Sequence, residues 1–103
     1  MKHLNNWKVF NENNNNQNKI LTEIVERIGR DKLTDINFGD SLTPYVHFIF
    51  NNKPFSISLT DRIGMNGDYS NISVIVEVEG ITESLGYFNM NEVDEVVNLI
   101  LNY

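Results

Sequence analysis

The sequence predicts an α+β protein of two layers: an N-terminal helix, an antiparallel sheet of four to five strands and a C-terminal helix, with both helices on one sheet face. Three observations predict it. Apolar residues recur at helical spacing near both ends, at Ile20, Leu21, Ile24, Val25 and Ile28 and again at Val93, Val96, Val97, Ile100 and Leu101. Between them the period falls to two, as where Phe55, Ile57 and Leu59 alternate with Ser56, Ser58 and Thr60. The connections are short, which favours pairing of consecutive strands, and both helix stripes need an apolar surface to cover. Placing both on one face leaves the other partly solvated.

The elements follow in order. Leu4, Trp7, Val9 and Phe10 punctuate a polar opening, and a lone tryptophan of this kind is expected to pack rather than stay in water. Residues 11–18 hold six of the chain's 17 asparagines. Such a tract cannot bury apolar area, so it reads as a linker or cap before the first helix. The helix itself is expected over 18–30, with Glu23–Arg27 and Glu26–Arg30 as favourable i,i+4 pairs and Gly29 as its stop.

Ile36 and Phe38 mark a short strand ending at Gly39-Asp40. Residues 45–50 and 55–60 form a hairpin around Asn52-Lys53, in which Phe50 faces Phe55, Phe48 faces Ile57 and Val46 faces Leu59. Residues 61–70 (DRIGMNGDYS) read as a loop. Ile72, Val74, Val76 and Val78 alternate with Ser73, Ile75, Glu77 and Glu79, a strand that turns at Glu79-Gly80. Residues 82–88 return as another strand with Leu85 and Tyr87 facing in. Asn89 is the expected N-cap of the last helix, with Glu92 three residues on and Phe88 and Val93 as a staple.

Composition limits function. At 103 residues one domain, 1–103, is expected, and 41% hydrophobic residues suffice for a core. No cysteine is present, so there is neither a disulfide framework nor a zinc–thiolate site. No apolar run approaches a membrane span and the opening MKHLNNWKVF is too polar for a signal peptide, which predicts a soluble, cytoplasmic protein. His3 and His47 have no second ligand at metal spacing, and DRIGMNGD lacks the acids of a calcium loop. A catalyst would have to combine His47 with Tyr45 and Asp61. No phosphate loop or nucleotide fingerprint occurs, so no enzyme, cofactor or metal is expected. The eight basic residues are scattered and interleaved with acids, which argues against direct nucleic-acid binding.

Charge is the informative feature. The last cation is Arg62, and the 41 residues after it carry seven carboxylates: Asp68, Glu77, Glu79, Glu83, Glu92, Asp94 and Glu95. The first 62 residues hold eight bases and seven acids, so the net charge of −6 belongs to the C-terminal part. A one-sign field of this kind attracts the opposite sign. If the strand ends and the helix start share one edge, six or seven of these acids form one surface; its plainest alternative use is solubility. The expected partner is therefore a basic protein surface, such as a nuclease or another nucleic-acid-handling protein presents. Asp68, Tyr69, Glu77, Glu79 and Glu83 are the expected contacts. In size and charge the chain is similar to phage-encoded anti-defence inhibitors, anti-CRISPR proteins among them, and to nuclease immunity proteins, although no stretch matches a family motif. A second surface, Tyr45, His47, Ile49 and Ile75, lies on the face predicted to point away from the core. Its alternative reading is a structural homo-oligomer, a homodimer in the simplest case, unless the N-terminal segment covers it.

Overall fold

A computed structural model describes residues 18–40, 43–63 and 68–103. The first helix, α1 (Asn18–Ile28), stops at Gly29. The φ of 109° at Gly29 suits only glycine, and its N–H closes the last turn on the Val25 carbonyl at 3.0 Å. A single 3-10 turn (Arg30–Lys32) leads to five strands: β1 (Thr34–Asp40), β2 (Pro44–Phe50), β3 (Lys53–Ile63), β4 (Asp68–Val78) and β5 (Ile81–Asn89). Helix α2 (Val93–Leu101) completes the chain. The strands form one antiparallel sheet in the order β1-β2-β3-β4-β5. This is the predicted architecture.

One continuous core joins the layers. Leu21, Ile24, Val25 and Ile28 from α1 and Val93, Val96, Val97 and Ile100 from α2 pack on Val46, Phe48, Phe55, Ile57, Leu59, Ile72, Val74 and Val76. Arg27 links the helices at their surface, bonding Glu23 at 3.0 Å and pairing with Asp94 at the start of α2. Arg30 bonds Glu26 at 2.6 Å. Exposed pairs contribute only about 0.2–1 kcal/mol each, so the apolar stripes, not the ions, hold the helices to the sheet.

The β2–β3 hairpin differs in register from the expected one. Its turn is Asn51-Asn52, both at positive φ (57° and 65°), the two-residue geometry that asparagine tolerates. Phe50 therefore pairs with Lys53, Phe48 with Phe55 and Val46 with Ile57. The expected loop at 61–70 is also shorter, because β3 runs on to Ile63 and β4 begins at Asp68, with Arg62 opposite Tyr69.

Both edge strands carry a bulge. On β1 the register shifts between Thr34 and Asn37, with Asp35 at φ 55°. On β5, Gly86 pairs with Val74 and Ser84 with Ile75, which leaves Leu85 as the extra residue. The extra residue reverses the alternation beyond it. Tyr87, expected to face in, lies opposite Ser73 on the outer face and is 68% exposed. Helix α2 also starts later than expected, because Asn89 stays in the ladder opposite Asn71. Half of the capping exchange survives: Glu92 Oε1 accepts the Asn89 N–H at 2.7 Å. The expectations for residues 1–17, including the packing of Trp7 and Phe10, lie outside the described residues.

Candidate functional site

The β4–β5 turn gathers the acidic residues that share a surface. Glu77 is opposite Thr82 and Val78 opposite Ile81, so Glu79 and Gly80 form a two-residue turn, at φ 53° and 82°. Glu83 pairs across from Val76, one rung back. The alternation of the strand puts Glu77 on the outer face and Glu83 on the helix face, with Glu79 at the tip between them. All three are exposed, and so is Ile81, at 70%. The β3–β4 ladder ends at Phe55 opposite Val76, one residue short of Pro54, which has no N–H to donate.

Among the described residues, no ion pair involves Glu77, Glu79 or Glu83. Glu83 accepts a hydrogen bond from the Tyr103 hydroxyl at 2.7 Å, and the Tyr103 ring packs edge-on to Phe55 with Lys53 Nζ 5.8 Å from its centre. The bond to Glu83, then desolvation and the carboxylate's charge, push the Tyr103 hydroxyl above its ordinary value. A raised folded-state value means that the contact contributes fully below the unfolded tyrosine value of about 10 and is lost as pH rises through the folded one. The link between α2 and β5 should thus hold at neutral pH and release only in alkali. Ultraviolet titration of the wild type against Tyr103→Phe checks this, a missing late-titrating tyrosine in the variant being the expected difference.

The remaining acidic residues lie elsewhere. Asp68 opens β4 opposite Ile63, nine residues or about 30 Å from Glu77. Tyr69 beside it is half-buried against the core. Glu92 is engaged in the turn into α2, Asp94 pairs with Arg27, and Glu95 is exposed on α2. These residues sit at the Asn71–Asn89 end of the sheet, while the tip sits at the other. The structure brings together Glu77, Glu79 and Glu83, but not Asp68 or Tyr69 with them.

The outer sheet face carries the second expected surface. Tyr45 lies over Gly39, its partner on β1, where only a residue without a Cβ leaves room for the ring, and it stacks on His47 at 4.6 Å. His47 is exposed, whereas Tyr45, Ile49 and Ile75 are half-buried. Beside them a groove of about 420 Å³ crosses the strands. His47, Ile49, Pro54 and Ile75 line it, with Asp35 on β1 and Glu77 on β4. Asp35 and Pro54 were not foreseen. The bulge that brings Asp35 here leaves one sequence sign, an acid at the start of a strand pattern. Asp61 is distant, five residues or about 17 Å along β3 from Ser56, which faces His47, and it bonds Asn71. His47, Tyr45 and Asp61 are not brought together.

Among the described residues there is no group of three His, Asp or Glu side chains placed to hold a metal ion, and no helix long and apolar enough to cross a membrane. No protein-family model, curated protein or solved structure matches the chain.

Proposed function

We infer that the protein is a non-catalytic binding module whose β4–β5 tip docks on a cationic surface of a nucleic-acid-handling protein. Occupying such a surface competes with the phosphates it serves, so binding inhibits the partner. Phage anti-defence inhibitors, anti-CRISPR proteins included, and nuclease immunity proteins illustrate that mode of action.

One observation carries this reading. Glu79 occupies a turn position at φ 53°, a left-handed conformation that costs a residue other than glycine about 1 kcal/mol. Asparagine suits that position better, and this chain uses asparagine at both central positions of its other two-residue turn, Asn51-Asn52. At Glu79 the chain instead keeps a charge at the apex of a hairpin, between Glu77 and Glu83 and two residues from an exposed isoleucine. Strain retained with a charge in place is a sign of function rather than of folding. Electrostatics of this kind sets encounter rate and selectivity, while Ile81 supplies apolar anchorage.

The reading separates stability from binding at one residue. Glu79→Asn should raise stability by about 0.5 kcal/mol through relief of the turn. It should also weaken binding of an arginine–glycine repeat peptide by roughly two- to fivefold. Denaturant unfolding reads the first effect, and an amide-shift titration reads the second. In the titration of the wild type, shifts should concentrate at residues 76–84. Equal shifts at Glu23, Glu26 and Glu95 would mean that the peptide senses only net charge, and the reading would fall.

A further inference from the structure

We propose that the outer groove reads an extended basic–apolar–basic segment of the partner. This rests on the proposed cationic partner and names the chemistry that the groove recognises. The groove crosses the strands, and two carboxylates line it, Asp35 on β1 and Glu77 on β4, with Ile49 on β2 and Pro54 on β3 between them and Ile75 on β4 beside Glu77. Three interstrand spacings separate β1 from β4, about 14 Å. That span is too wide for one guanidinium to meet both acids. It matches four residues of extended chain, about 13 Å, in which residues i, i+2 and i+4 point the same way. A basic residue at i then meets Asp35, an apolar one at i+2 rests on Ile49, Pro54 and Ile75, and a basic one at i+4 meets Glu77. His47, stacked on Tyr45, edges the floor. Glu77 belongs to both the groove and the acidic tip, which makes the two one continuous surface.

Two peptides of identical composition test the spacing. Acetyl-Gly-Arg-Ser-Leu-Ser-Arg-Gly-amide has the proposed order, and acetyl-Gly-Arg-Arg-Ser-Leu-Ser-Gly-amide has the same charge without it. The first should bind the full chain about fivefold tighter, the effect of one well-placed exposed ion pair, and should shift the Ile49 and Ile75 methyl resonances. Asp35→Asn, which keeps a residue tolerant of positive φ, and Ile75→Lys, on the sheet's outer face, should each abolish that preference. Equal affinity for the two peptides, with Glu79 and Glu83 amides still responding, overturns the groove proposal and leaves the cationic-surface reading standing. Silence at the tip with both peptides overturns that reading as well. Contacts in the free protein from the Ile75 methyls to the Trp7 ring, or to a second copy, also overturn the proposal, because the groove would then belong to the chain itself.

Discussion

Phe48→Ala should destabilise the protein by about 3–5 kcal/mol and lower its melting temperature by on the order of 20 °C. Phe48 is 1% and Phe55 2% exposed, and their rings stack across β2 and β3 with centroids 5.8 Å apart. Phe55 in turn meets the Tyr103 ring edge-on at 6.1 Å. Truncating Phe48 removes apolar burial and leaves a void that a sheet pinned by neighbours on both sides cannot close. A domain of this size has about 5–15 kcal/mol in total, so the variant retains little margin. A double-mutant cycle sharpens the test. Phe48 and Phe55 should couple by about 0.5–1.5 kcal/mol beyond their separate losses, and half-buried Phe50, diagonal to Phe55 in this register, should couple with Phe55 less strongly. A Phe50–Phe55 coupling larger than that of Phe48 with Phe55 would mean that the hairpin is paired two residues out of the described register.

That cycle is worth doing because the register is what the sequence leaves open. Shifting a strand pair by two residues keeps every side chain on its face, so Phe50 opposite Phe55 and Phe48 opposite Phe55 are both apolar pairs. Pattern matching cannot choose between them. The turn chooses, and its sign was present in the sequence: two adjacent asparagines can both take positive φ, and Asn51-Asn52 do. The bulges left less trace. Alternation assumes one residue per rung, so Leu85 as an extra residue reverses Tyr87, and Asp35 enters the groove from a strand end. Helices and strand order were legible because their apolar periods run over many residues, and a local defect does not erase them.

The site was legible in part for a similar reason. Glu77, Glu79 and Glu83 fall within one tight hairpin, so closeness in sequence became closeness in space. Asp68 lies on the same strand at its far end, and Glu92, Asp94 and Glu95 follow the chain back to that end. A count of charges along a chain does not distinguish the two ends of one sheet. The bulged edges also bear on the homo-oligomer alternative. A bulge in each edge strand disfavours extension of the sheet by a second copy, so assembly would have to use the outer face.

Converting Glu77, Glu79 and Glu83 together to glutamine should slow association with a cationic partner about tenfold or more at low salt. It should also flatten the dependence of the on-rate on ionic strength. The argument is local. Among the described residues none of these carboxylates is in an ion pair; Lys53, over the Tyr103 ring that Glu83 bonds, offsets part of their field, while Arg27 and Arg30 are engaged on α1. Dissociation should change less, because Ile81 and the groove floor remain to hold the complex. The necessary control removes the same three charges elsewhere, by amide substitution at Asp31, Asp40 and Glu95, all exposed and away from the tip. Stopped-flow association at several salt concentrations compares the two variants. If the control slows encounter as much as the tip variant, net charge alone steers the partner. A selective effect of the tip variant instead makes the β4–β5 hairpin the element that meets the partner first.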